Sequence, residues 1–324
     1  MRPITISHLD GDLPFGARVT GLTAELCADP DVRAELQALF EERGVIVFED
    51  VEQTLAMQQT ISNVFGPPKP FPMKAILADA DTGEVPNVMQ VTREPGAADN
   101  NIVEVGGRLL ANWRPFHFDH AYSNELNRGG VLRQVVRPPA GGQTGFADGI
   151  QLYKDLSPDL RSRIEGLHVV YAMDPLFQNM RFGLPRDFRE VVPETPEIAR
   201  QIMDLSNAMP RACHPAVWTR KTGEKVLHVS GQHAVGIEHH QNPEGDALLE
   251  AVCQEIIAKA KAYFHEWKPN DMVLWDNWRM LHAVAGIDPA HSRTVNRTTI
   301  QGDYGLGYFL NEKEEGRPAR IHAN

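Results

Sequence analysis

The sequence predicts a mainly β fold with flanking helices. Three observations predict it: short apolar runs bounded by turn residues recur from residue 129 onward, capped helical patterns precede and separate them, and no linker-like composition divides the 324 residues. A single domain spanning 1–324 is the expected organisation.

Taken in order, Val32, Leu36, Leu39 and Phe40 fall at helical spacing, with Asp31 as the candidate cap and Gly44 as the stop. A strand follows in GVIVFED. Thr54 opens a second helix with Met57, Ile61, Val64 and Phe65 on its apolar face, ended by Gly66 and the prolines at 67, 68, 70 and 72. From about 75 to 113 the periodicity loosens around Gly106-Gly107, and the stretch reads as a long lid-like connection. GGVLRQVV, LHVVYA, KVLHVS and DMVLWDN then read as antiparallel strands. Helices lie between them, one capped by Ser157 with Pro158 in its first turn, another through Leu249, Val252, Cys253 and Ile256. The Pro-punctuated stretch 175–212 reads as a second lid-like insertion.

Composition narrows the function classes. A formal net charge of −11 with both signs interspersed argues against a nucleic-acid surface or an anionic membrane, and favours a small-molecule substrate. Cys27, Cys213 and Cys253 form no CxxC pair, so neither a disulfide framework nor a thiolate zinc site is expected. The N-terminal residues carry no secretory pattern and no apolar run is long enough to span a bilayer, so a cytoplasmic location is expected. Oligomeric state is not legible; a homo-oligomer is the general expectation for a soluble enzyme.

In ArgProPheHisPheAspHis (114–120), His117 and Asp119 stand two apart, which on a strand puts both side chains on one face. With a third imidazole they would form a 2-His-1-carboxylate facial triad, which leaves open positions on a metal. His282, following the apolar run DMVLWDN and a short turn, is the candidate third ligand; His120 and His291 are weaker rivals. These ligand types would also suit a zinc hydrolase. Further along, the strand-like run ArgThrValAsnArgThrThrIle (293–300) places Arg293 and Arg297 on one face by the period of two. Paired arginines there suit anions, and the planar guanidinium suits a carboxylate.

His117-Phe-Asp119, Gly141-Gly-Gln-Thr144, TrpAspAsn (275–277) leading to His282, and Arg293 beyond it together resemble the taurine dioxygenase/2,4-dichlorophenoxyacetate dioxygenase (TauD/TfdA) family. The likeness extends to the opening helix and strand, the segment 214–229 and GlnGlyAsp at 301–303, so it covers nearly the whole chain. It implies a double-stranded β-helix, or jelly-roll, core. It also implies Fe(II) on His117, Asp119 and His282, the cosubstrate 2-oxoglutarate on Thr144 and Arg293, and O2 as oxidant. The implied reaction is hydroxylation, with fragmentation or desaturation as variants, of a small organic substrate, with release of succinate and CO2. Arg297 matches the family's second arginine, which implies a contact with an anionic substrate. Gln143 stands where many relatives carry Asp. Phe71 and Trp113 stand where taurine-using relatives place polar groups, and with Phe116 and Tyr122 they imply a more apolar pocket than taurine needs. Two readings outside this one are a zinc-dependent hydrolase, in which Arg293 has no role, and a non-catalytic small-molecule binding protein on the same scaffold.

Overall fold

The computed structural model describes residues 4–9, 11, 13–69, 88–97 and 101–310. Two sheets dominate. The first runs, in spatial order, Thr5–His8, Ala17–Thr20, Val45–Glu49, Met272–Asp276, Gly129–Val136, Arg293–Ile300 and Val88–Arg93. The second runs Arg189–Val192, Ile102–Val105, Arg108–His117, Met280–Ile287, Thr144–Asp148 and Tyr263–His265. Neighbouring strands are antiparallel throughout the second sheet, and in the first everywhere except the parallel pair Ala17–Thr20 and Val45–Glu49.

Alternation along the strands decides what fills each layer. Between the sheets, Val45, Val47, Leu132, Val273, Trp275 and Val295 from the first meet Phe146, Met280 and Tyr263 from the second. Residues of opposite parity in the first sheet, among them Ile46, Phe48, Val131, Met272 and Leu274, pack outward against the helices Pro30–Arg43 and Leu55–Phe65. The outward face of the second sheet, at Ala147 and Leu281, packs on helix Pro243–Lys259 and on a smaller sheet containing Val169 and Tyr171. This is the β sandwich with flanking helices that the strand pattern predicts, in the jelly-roll form that the family resemblance implies.

Local capping follows the sequence with two departures, one of them at Ser157, which stands at the N-cap of Pro158–Ile164 but makes no side-chain cap hydrogen bond. Asp29, rather than Asp31, caps the first helix, its carboxylate accepting from the N–H groups of Asp31 and Val32, because Pro30 occupies the first helical position. Gly44 ends that helix at φ 71°, a left-handed conformation that suits glycine, and Thr54 caps the second by accepting from the Met57 N–H.

Two stretches depart from expectation. The described part of 75–113 is strand rather than open loop: Val88–Arg93 is an edge of the first sheet, and Ile102–Val105 and Arg108–His117 form a hairpin. Its turn is Gly106-Gly107, both residues at positive φ (59° and 69°), the geometry a two-residue hairpin requires and glycine supplies. The region 175–212 holds strand Arg189–Val192 and the helix Pro196–Ala208, which has no buried residue. Cys27, Cys213 and Cys253 are buried thiols. Among the described residues no helix is long and apolar enough to cross a membrane.

Candidate active site

The second sheet brings two histidines together by register. His282 lies opposite His117 on adjacent antiparallel strands, and their ring centroids are 4.1 Å apart. Strand Arg108–His117 ends at that histidine, so Asp119 sits just past the strand and not on it. The donor atoms nevertheless converge: one ligand atom from each of His117, Asp119 and His282 lies within 4.8 Å of the others. The Asp119 turn is held by Asn277, which is wholly buried. The Asp119 N–H donates to Asn277 Oδ1 at 2.8 Å, and Asn277 Nδ2 donates back to the Asp119 carbonyl at 3.1 Å and to Asn127 Oδ1 at 3.0 Å. The sequence reading passed over this role of Asn277, although it stands in the TrpAspAsn segment.

The protonation states suit a cation. His117 Nδ1 lies 2.8 Å from the Pro115 carbonyl and donates to it, which leaves Nε2 as the lone-pair donor. Burial lowers the basicity of both triad imidazoles, that of His282 to about 3, so both are neutral at ordinary pH. Burial alone would raise the Asp119 carboxyl, but Arg297 together with His282, His120 and His117 outweighs it and holds the group well below the usual carboxylate range. Arg297 Nη1 donates to both Asp119 oxygens at 2.7 and 2.8 Å.

Above the triad, the turn carrying Gly141 and Gly142 leads into Thr144, which opens strand Thr144–Asp148. Both glycines adopt positive φ and are closely packed: a Cβ on Gly141 would meet the Gly286 carbonyl at 2.8 Å, and one on Gly142 would sit tightly at 3.3 Å from Arg293 Cδ. The turn is thereby folded onto the stem of Arg293. Gln143 faces outward and donates to Glu266 at 2.8 Å, away from the interior.

Arg293 enters from the opposite sheet. Its side chain is buried, its Nη1 donates to Asn112 Oδ1 at 2.8 Å, and among the described residues it has no carboxylate partner. Burial depresses its basicity to about 10, and it stays charged. The Arg293 Nε and the Thr144 hydroxyl are both buried with no hydrogen-bond partner. A buried cation and a buried hydroxyl left unsatisfied are costly unless a ligand supplies the acceptor, and a carboxylate fits both. These residues fit a dicarboxylate cosubstrate, as the triad fits a divalent cation.

Of the aromatic candidates, Tyr122 is at the site: it is buried, within 5.3 Å of the His233 ring, and its phenol is pushed up to about 12 by burial. Trp113 and Phe116 are not. Between His282 and Val284 the facing strand spends one extra residue, from Arg114 to His117, so the period of two does not carry through. That bulge leaves Trp113 in an outer cluster, its ring 5.7 Å from Phe177 and 5.6 Å from Phe188. Asn112 and Arg114 take its place on the inside, Asn112 reaching Arg293 and Arg114 near enough to His117 and His233 to lower their basicity. Phe116 packs outward against Phe264 and the core of helix Pro243–Lys259. Phe71 lies outside the described residues. Asn112, Arg114 and His233 carry no motif, and only the bulge exposes the first two.

Residues 5–299 match the family model "Taurine catabolism dioxygenase TauD, TfdA family". Among characterised relatives, the chain is 29% identical to the (S)-phenoxypropionate/alpha-ketoglutarate-dioxygenase of Sphingobium herbicidovorans, over 90% of this chain and 93% of that one. It is 30% identical to the alpha-ketoglutarate-dependent 2,4-dichlorophenoxyacetate dioxygenase of Cupriavidus pinatubonensis, over 86% and 91%. A solved taurine dioxygenase from Burkholderia xenovorans superposes with a TM-score of 0.67 at 23% identity, over 93% of this chain and 92% of that one, which bears on the fold alone. With a family match over residues 5–299, a His-Asp-His cluster suited to a metal and relatives named as alpha-ketoglutarate-dependent dioxygenases, the chain belongs to the TauD/TfdA family of 2-oxoglutarate-dependent dioxygenases, whose cofactors are Fe(II), 2-oxoglutarate and O2.

Proposed function

We propose that this oxygenase holds Fe(II) on His117, Asp119 and His282, grips the far carboxylate of 2-oxoglutarate with Arg293 and Thr144, and hydroxylates a small, partly apolar organic anion. The observation that carries the reading is a buried Arg293 with no carboxylate partner among the described residues, its stem against the Gly142 turn that leads into Thr144, whose buried hydroxyl likewise has no described partner. A hydrolase would have no use for either.

Bound iron, 2-oxoglutarate and O2 supply the oxidising chemistry, with succinate and CO2 as the by-products. The chain's own residues bind and aim. His117, Asp119 and His282 would hold the cation, and a three-ligand protein site would leave positions for exchangeable ligands. Arg293 and Thr144 fix the far end of the cosubstrate, which sets the orientation of its keto end. Tyr122, Met173, Leu205 and Met209 make an apolar wall beside the triad. Arg297, which donates to Asp119, would take the anionic end of the substrate, with Arg114 as a second cation nearby. The two relatives above are named for phenoxypropionate and 2,4-dichlorophenoxyacetate, carboxylates with an aromatic body, and this wall suits the same class better than taurine. The helix Pro196–Ala208, which offers Leu205 to that wall, is the lid of this reading, and a homo-oligomer is its expected state.

The test is substrate-stimulated succinate formation over a panel of aryloxy- and arylcarboxylates, with taurine and uncharged analogues as comparators. The reading expects stimulation by carboxylates and a KM raised at least about tenfold by Arg297→Ala, the effect of losing one charge-assisted contact. Stimulation confined to uncharged analogues would contradict it.

A further inference from the structure

Arg293 is held by an amide where a carboxylate would be the ordinary partner. Buried arginines are usually paired with Asp or Glu, since an isolated charge in a low-dielectric interior is costly. Here the described partner is the neutral Oδ1 of Asn112, 2.8 Å from Nη1, reaching across the gap between the sheets. A second observation is independent of that bond. Asn112 sits at φ 55°, a left-handed conformation that non-glycine residues seldom adopt and that Asn tolerates best, within a strand whose register is broken just beyond it. The backbone is bent there, and what the bend delivers is one amide to one guanidinium.

We infer that Asn112 is a positioning residue for the cosubstrate clamp: it orients Arg293 through a neutral acceptor, so the guanidinium is aimed yet keeps its charge uncompensated for the incoming carboxylate. The inference rests on the reading of Arg293 as that clamp. A carboxylate at position 112 would orient Arg293 equally well but would also neutralise it, competing with 2-oxoglutarate for the same donors. An apolar or absent side chain would leave the charge available but the fork unaimed. Neutral and aimed is the combination that Asn supplies.

The test compares Asn112→Asp, Asn112→Gly and Arg293→Ala by calorimetric titration of 2-oxoglutarate into the Mn(II)-loaded protein. Mn(II) binding and thermal unfolding, followed separately, report an intact site and fold. Asp is isosteric and shares the tolerance of Asn for left-handed φ, and Gly adopts it freely, so neither variant strains the backbone at 112. The expected order of affinity is wild type, then Gly weaker by a few fold, then Asp weaker by more than about tenfold, with Mn(II) binding unchanged. A purely structural role for Asn112 predicts instead that Gly binds as well as wild type and Asp equals it, and that result would overturn the inference. Should Arg293→Ala itself leave 2-oxoglutarate affinity intact, the clamp reading fails and this one with it. Weakening by Arg293→Ala but not by Asn112→Asp overturns the Asn112 role alone.

Discussion

Asn277 touches neither the cation position nor the cosubstrate position, yet four of its hydrogen bonds bracket the turn that presents Asp119. They go to the Asp119 N–H and carbonyl, to the Asn127 carbonyl at 3.3 Å and to Asn127 Oδ1, and the side chain is wholly buried. Replacing it with Ala would leave buried donors and acceptors unpaired, so Asn277→Ala is expected to cost on the order of 2–3 kcal/mol. It should also weaken Fe(II) binding, because the carboxylate loses its fixed approach. Urea unfolding with parallel metal titration checks this; a variant with wild-type stability and affinity would contradict it. At this scale the sequence carries the chemistry well and the geometry poorly. His117, Asp119, His282, Thr144, Arg293 and Arg297 are legible because their residue types and spacings have few other uses in combination. Asn112 and Arg114 are hidden because one extra residue in the strand reverses which side chains face inward, and Trp113 was misplaced for the same reason.

The elements around the site differ in how firmly they are seated. Helix Pro243–Lys259 buries Leu248, Leu249, Val252, Cys253 and Ile256, whereas Pro196–Ala208, three turns long, buries nothing and touches the molecule's interior mainly through Leu205 beside Tyr122 and Met173. Few buried apolar contacts mean a low cost of local opening. Backbone amides of 196–208 are therefore expected to exchange with solvent orders of magnitude faster than those of 243–259, and to slow when a carboxylate substrate binds with metal and cosubstrate. Equal protection of the two helices in the substrate-free protein would contradict the lid reading. The strands read from apolar runs are present, including Gly129–Val136, Met272–Asp276 and Arg293–Ile300. The hairpin at Gly106-Gly107 was legible in principle, since two glycines between short β-prone runs mark a two-residue turn. Its strands are faint in the sequence because the first is only four residues long and the second sets Asn112, Arg114 and Pro115 among its apolar residues and carries the bulge, so neither alternates cleanly. Thr195 and Pro196 likewise announce a helix start that the surrounding prolines obscured.

For the molecule as a whole, the division of labour between the sheets is the main point. One sheet carries the two histidines and Thr144; the other carries Arg293 and Arg297, and the interior layer of Trp275, Phe146 and Val295 sets their separation. Trp275 underlies the site, its ring 5.1 Å from that of His282. On the proposed reading, cation and cosubstrate would bind where the two halves of the sandwich face each other, and their binding would couple to the integrity of the sandwich itself. The measurement that tests this most directly is anaerobic titration of the Fe(II) protein with 2-oxoglutarate, following the visible metal-to-ligand charge-transfer band, in wild type, His282→Ala and Arg293→Ala. The account predicts a band in wild type that saturates at one cosubstrate per chain, no band in His282→Ala, and a band in Arg293→Ala that needs at least about tenfold more 2-oxoglutarate. A folded, iron-loaded wild type with no band, or an Arg293→Ala titration that superimposes on wild type, would contradict it.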